Sequence, residues 1–204
     1  GGDPTVRPAG SGAATPPAGG APAGGEAEIL GTDYRQLSTV TAILTEAGCR
    51  VRSGEKRITI RRDGPLQGVR PIRTAPYPGF PTDAQPPVMA ALCKSRGTTV
   101  FVENMFESRY RHVDELCRMG ARVRVEGRVA VVCGVEKLHG ARLRAADLRG
   151  GAALVVAALG AEGVSRIEGL SHIDRGYHGL EDTLSGLGAR IRRLEEGGAD
   201  LPNL

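Results

Sequence analysis

EAGCRV at 46–51, RMGARV at 118–123 and GLGARI at 186–191 are one phrase written three times, at intervals of about 70 residues. Internal repetition on that scale sets an architecture before any single motif is read. In each copy an amphipathic run (Leu37, Ile43, Leu44; Val113, Leu116, Met119; Leu180, Leu184, Leu187) meets a glycine, then a small residue, an arginine and a β-branched residue. The pattern predicts helix, glycine stop and strand in every copy.

Working upstream, GDPTVR near the start, GTTVFVEN from Gly97 and GVSRIEGL from Gly163 each give a glycine and then an apolar strand run. A second helix is expected before two of them, over 84–96 and 148–161. The latter contains AALVVAAL, apolar on every side as in a buried helix. The unit is helix, strand, helix, strand, with extra strands at 129–133 and 143–145. Such helices need neighbours to bury them, so the fold class is α/β, one domain of three stacked units. Copy one lacks its first helix and the chain lacks an initiator methionine, so the expectation is a fragment that starts in mid-domain. Residues 1–7 form a strand of the truncated first unit, 8–33 a mobile Gly/Ala/Pro insertion, 34–194 the domain and 195–204 a tail.

Aromatic residues make up 3% of the chain and tryptophan is absent, so the core must be aliphatic. The net charge of +4 is carried mainly by arginine, which suits small anionic ligands. No basic cluster interleaved with aromatics points to nucleic acid, and no apolar run is long enough to span a bilayer. Cys49, Cys93, Cys117 and Cys133 lack CxxC or histidine spacing, so they read as small buried thiols in a reducing compartment, not as metal ligands. The cytoplasm is the default location.

Chemistry gathers where the copies align but are polar. Glu107-Ser108-Arg109 falls on Ile173-Asp174-Arg175, which puts two arginines at the start of the second helix in copies two and three. Asp83 precedes one first helix, and Asp147 with Arg149 opens the other. Each aspartate alone could be an N-cap, and each arginine alone a surface ion pair. All five lie at the same end of equivalent helices, where stacking would converge them on one anion beside helix N-termini.

PGFPTDAQPPVMAAL at 78–92, FESRYRHVDELCRMGA at 106–121, GVEKL at 134–138, DLRGGAALVVA at 147–157 and HIDRGYHGLEDTLSGLGA at 172–189 resemble the UDP-N-acetylglucosamine 1-carboxyvinyltransferase family. The resemblance runs from Tyr34 nearly to Arg193. It implies an inside-out α/β barrel with helices inside and sheets outside, one of two similar domains between which substrates bind. The implied reaction moves the enolpyruvyl group of phosphoenolpyruvate to the 3-hydroxyl of UDP-N-acetylglucosamine, releases phosphate, and begins peptidoglycan precursor synthesis. No cofactor and no metal is implied.

By that resemblance Asp83 is the catalytic residue that contacts the sugar hydroxyl and takes its proton, and the backbone of Met105 holds the nucleotide sugar. Arg109, Arg149 and Arg175 gather around phosphoenolpyruvate, while Asp147 orients one of these arginines or a charged group across the cleft. Ser108 stands where the family usually has asparagine, His178 where it usually has glutamate, and the insertion replaces a short loop. The missing N-terminal domain of the same chain would be the partner that supplies a reactive cysteine and a lysine, so the chain alone is expected to be inactive. Two alternatives stay open: the sister enolpyruvyl transferase acting on shikimate 3-phosphate, and a non-catalytic paralogue that binds nucleotide sugar.

Overall fold

The computed structural model describes residues 5–8, 25–30, 34–54, 57–177 and 179–194. Helices α1 (Tyr34–Glu46) and α3 (Val113–Arg118) run into strands β3 (Cys49–Gly54) and β7 (Arg122–Glu126). The phrase glycines Gly48, Gly120 and Gly188 have φ of 100°, 94° and 92°. That left-handed region carries no Cβ penalty for glycine, so all three copies stop their helices as their shared sequence predicts.

After these strands the chain turns back as β4 (Arg57–Arg62) and β8 (Val129–Cys133). One sheet adds β1 (Thr5–Pro8) and β2 (Gly25–Leu30) in the order β1-β2-β4-β3, all antiparallel. A second adds β5 (Ile72–Arg73) and β6 (Thr98–Val102) in the order β5-β6-β8-β7. The same path, a strand, a helix and a hairpin whose second strand sits between the other two, is thus traced twice. β6 and β8 are antiparallel with Phe101 opposite Ala130, both fully buried. β9 (Arg142–Arg144) and β10 (Arg166–Glu168) form a separate parallel pair. No sheet closes on itself among the described residues.

Two expectations need correction. The strand that matches β6 in the first sheet is β2, within the span read as insertion, and β1 is an extra partner outside it. Glycine and alanine do not exclude a strand when β4 offers a ladder of backbone groups to pair with. Residues 9–24, 31–33 and the tail from 195 lie outside the described residues. In the third copy, α6 (Leu180–Gly186) is followed over 189–194 by irregular chain, not a strand. A strand exists only through a neighbour's hydrogen bonds, and among the described residues none flanks this segment.

Helices α2 (Gln85–Leu92) and α4 (Leu148–Leu159) pack against each other at the centre. Met89, Leu92, Ala153 and Leu154 are at most 2% exposed. Each leucine buried in this way contributes about 2 kcal/mol. α5 (Leu170–Asp174) lies against α4.

Each unit passes to the next through the same backbone bonds. Leu66-Gln67-Gly68 takes the Arg96 N–H at 2.7 Å, returns the Gly68 N–H to Arg96 O at 2.8 Å, and bonds Gln67 N–H to Ala47 O at 2.9 Å. Leu138-His139-Gly140 repeats all three, with Glu162 N–H at 2.8 Å, Gly140 N–H to Glu162 O at 2.7 Å and His139 N–H to Met119 O at 2.8 Å. No described helix is long and apolar enough to cross a membrane.

Candidate active site

Asp83 stands in a 3-10 turn, Thr82–Ala84, that leads into α2. Its side chain is 57% exposed, yet two cations hold it. Arg109 donates from Nη2 to Oδ1 at 3.0 Å, and Arg149, the second residue of α4, donates from Nη2 to Oδ2 at 3.0 Å and from Nε to Oδ1. The central packing of α2 on α4 makes this possible, because it sets their first turns side by side. The Asp83 carboxylate, chiefly through these hydrogen bonds, raises Arg149 above its ordinary value.

Asp147 is the N-cap of α4: its Oδ1 accepts the Gly150 N–H at 2.7 Å. It reaches Arg149 only as a nearby charge. Asp83 caps nothing, and Pro86 and Pro87 in the first turn of α2 have no N–H to offer, so that helix end is no anion site. Arg175 is not at a helix start either; it is the exposed C-cap residue of α5 and makes no ion pair among the described residues. Its neighbour Gly176 packs on α4, where a Cβ would come 2.7 Å from Leu148 Cδ2, so Arg175 lies close to the start of α4. The structure therefore joins Asp83, Arg109 and Arg149 directly and leaves Arg175 near the start of α4 without an ion pair among the described residues.

Met105, 39% exposed, borders with Asp83 an open depression of about 210 Å³ that Ser38, Thr39, Ala75 and Tyr77 also line. Phe106 lies under the Arg109 guanidinium, 4.7 Å from carbon to ring centroid, which stiffens that arginine. Ser108 has φ of 54°, a left-handed conformation that asparagine adopts more readily than serine. That is a physical reason for asparagine at this position in the resembling family. Ser108→Asn is expected to raise stability by about 0.5 kcal/mol, measured by thermal unfolding; an unchanged or lower midpoint would refute the strain argument.

Sequence reasoning missed Glu103, Thr82 and His112. Glu103 is 1% exposed. The alternation of β6, with Thr99 and Phe101 pointing inward, could have found it, since period two carries on to residue 103. Burial, and then the Glu103 charge, pushes the Tyr110 phenol up to about 12. His112 is 4% exposed and its Nε2 has no hydrogen-bond partner among the described residues.

Burial pulls His112 down from 6.5 to about 4, against Asp147, which raises it, and with Arg109, which lowers it further. The folded value lies below the unfolded one, so acid protonates the unfolded chain first. The stability from neutral His112 is complete above about pH 6.5 and is lost as pH falls towards 4, by about 3 kcal/mol over that window. His112→Asn is expected to flatten the decline of the unfolding midpoint between pH 6.5 and 4 relative to wild type; parallel declines would rule His112 out.

Cys49 and Cys93 are buried, and burial first, with the Cys117 charge second, raises the Cys93 thiol to about 12. Cys117 and Cys133 are exposed, against the expectation of four buried thiols: Cys117 is on the outer side of α3 and Cys133 is the last residue of β8. No group of three or more histidine, cysteine or acidic residues among the described residues could hold a metal ion. His178 lies outside them.

The α/β frame thus sets one carboxylate between two arginines, Arg109 in the turn before α3 and Arg149 in the first turn of α4. The chain belongs to the EPSP synthase (3-phosphoshikimate 1-carboxyvinyltransferase) family, whose model matches residues 2–184. It is 57% identical over 159 residues to the UDP-N-acetylglucosamine 1-carboxyvinyltransferase of Desulfofundulus thermocisternus, covering 78% of this chain and 65% of that relative. It is 50% identical over 170 residues to UDP-N-acetylglucosamine 1-carboxyvinyltransferase 2 of Clostridium acetobutylicum, covering 83% of this chain and 40% of that one. Among solved structures, the enolpyruvyl transferase NikO from Streptomyces tendae superposes with a TM-score of 0.73 at 31% identity, over 81% of this chain and 39% of its own. An EPSP synthase from Acinetobacter baumannii, at 15% identity and a TM-score of 0.51, shares the fold. The chain spans between 40% and 65% of the length of these two curated relatives.

Proposed function

We propose that this chain is the part of a UDP-N-acetylglucosamine 1-carboxyvinyltransferase that holds the base and the arginines for phosphoenolpyruvate, in an enzyme that transfers the enolpyruvyl group to the sugar 3-hydroxyl at the entry to peptidoglycan synthesis. The observation that carries the reading is Asp83, on the wall of the depression, held by Arg109 and Arg149. The similarity to curated transferases of that name supports the choice of acceptor.

In this reading Asp83 takes the proton of the sugar hydroxyl, a task that suits a positioned carboxylate. The backbone of Met105 holds the nucleotide sugar. Arg109, Arg149 and Arg175 bind the carboxylate and phosphate of phosphoenolpyruvate, where a guanidinium fork pairs with two oxygens at once. An arriving phosphoenolpyruvate competes with Asp83 for the same guanidinium groups, and drawing them away leaves the carboxylate free to act as a base. Fixed positive charge then stabilises the anionic character of addition and elimination. Asp147 fixes the first turn of α4 and with it Arg149.

The three units form one inside-out barrel in the complete protein, with α2 and α4 inside. The rest of the longer protein supplies the cysteine and lysine that the reaction needs, and the whole acts in the cytoplasm without cofactor or metal. The test is phosphate release by the full-length gene product given phosphoenolpyruvate with either UDP-N-acetylglucosamine or shikimate 3-phosphate. Release with the nucleotide sugar alone is expected. Release with shikimate 3-phosphate, or with neither, would overturn the reading.

A further inference from the structure

The carboxylate of Glu103 is sealed at the end of β6, 1% exposed, and spends both oxygens as acceptors. Oε1 takes the Met105 N–H at 2.9 Å, the Phe106 N–H at 3.2 Å and the Thr74 hydroxyl at 2.9 Å. Oε2 takes the Thr82 hydroxyl at 2.9 Å. Thr82 Oγ1 in turn accepts Arg109 Nε–H at 3.4 Å, and Thr82 is the residue before Asp83. Burying a charge is costly unless its acceptor sites are filled. A hydrophobic residue at this strand end would leave two backbone N–H groups and two hydroxyls without their acceptor, so what the carboxylate contributes is the connection.

We propose that Glu103 is a positioning residue that sets two halves of the site at once: through Oε1 the backbone turn at Met105–Phe106, and through Oε2 and Thr82 the direction of Arg109 and the turn that carries Asp83. This rests on the functional reading above. The polarity of the chain is fixed. Glu103 can only accept, so the Thr82 proton must point at it, and the Thr82 lone pairs are left for Arg109. Glutamine keeps an acceptor for the two amides but presents an NH2 to Thr82, which turns the hydroxyl proton away and disturbs the Arg109 arm alone. Thr82→Val removes the same arm from the other end, at a half-buried position where folding is less at risk.

The experiment uses the full-length protein. If wild type releases phosphate with both substrates, Glu103→Gln and Thr82→Val are each expected to lower kcat by about 10-fold, since small displacements of reacting groups are costly. The double variant should lose no more than either single one, because both cut one connection. Unchanged kcat in Glu103→Gln, or losses that multiply, would overturn the role. Amide hydrogen exchange reads the other half without activity. Glu103→Ala should speed exchange at Met105 and Phe106 by about 10-fold, and Thr82→Val should leave both protected. Equal exchange in Glu103→Ala and wild type would overturn the proposal, whereas a silent wild type would sink only the functional reading.

Discussion

Asp83→Asn in the complete protein is expected to lower kcat by about 10³-fold, within the range that a positioned base contributes. The substitution keeps shape and one acceptor oxygen while removing the charge and the basicity. Two further readouts separate this from mere loss of an ion pair. Asp83 is 57% exposed, and exposed pairs contribute little to stability, so the unfolding midpoint should move by less than about 4 °C. The KM for phosphoenolpyruvate should not rise, because Arg109 and Arg149 lose a competitor and stay free for the ligand. Near-normal kcat would remove Asp83 from the role of base. A raised KM with unchanged kcat would make it a binding group only.

The largest effect on folding is expected from Gly134→Ala. Gly134 follows β8 directly; its N–H bonds to Gly97 O at 2.9 Å and the next N–H, of Val135, to Cys93 O at 2.8 Å. These bonds draw the chain so close to the end of α2 that a Cβ at 134 would overlap the Ser95 carbonyl oxygen and stand 2.6 Å from its carbon. The obstacle is backbone, which cannot swing aside as a side chain does. Either the end of α2 or the exit of β8 must move, at an expected cost of at least about 3 kcal/mol. Gly64→Ala is the control, since nothing lies within 4 Å of a Cβ there. Thermal unfolding should show a loss of about 10 °C for the first and almost none for the second. Equal midpoints would mean that the junction yields more easily than its geometry indicates, and failure of Gly134→Ala alone to accumulate in folded form would meet the expectation.

The parts of the fold visible in the sequence are those that short-range chemistry controls. The three phrase glycines mark left-handed helix ends because φ near 100° is a local demand that only glycine meets cheaply. Helix α4 was legible because AALVVAAL has no polar face to expose. β2 and the missing third strand were not, since pairing depends on a partner distant in sequence. The site divides in the same way. Asp83, Arg109 and Arg149 could be named from aligned copies, but their ion pairs depend on α2 lying against α4. Asp147 looked like a cap and is one. Glu103 was hidden because its strand is short and apolar, and one acidic residue at such an end resembles an exposed terminus until alternation is counted through it.

The junctions at Leu66–Gly68 and Leu138–Gly140 tie each unit to the next through three main-chain hydrogen bonds apiece, and main-chain atoms are the same in every protein. The hydrogen bonds at these joints leave most neighbouring side chains unspecified, but Gly68 and Gly140 are fixed by space: a Cβ would stand 2.8 Å from Thr98 O at the first and overlap Val164 O at the second. A frame fastened in this way makes strict demands at only a few points, and the charged side chains at the starts of α2 and α4 can change without loosening its joints.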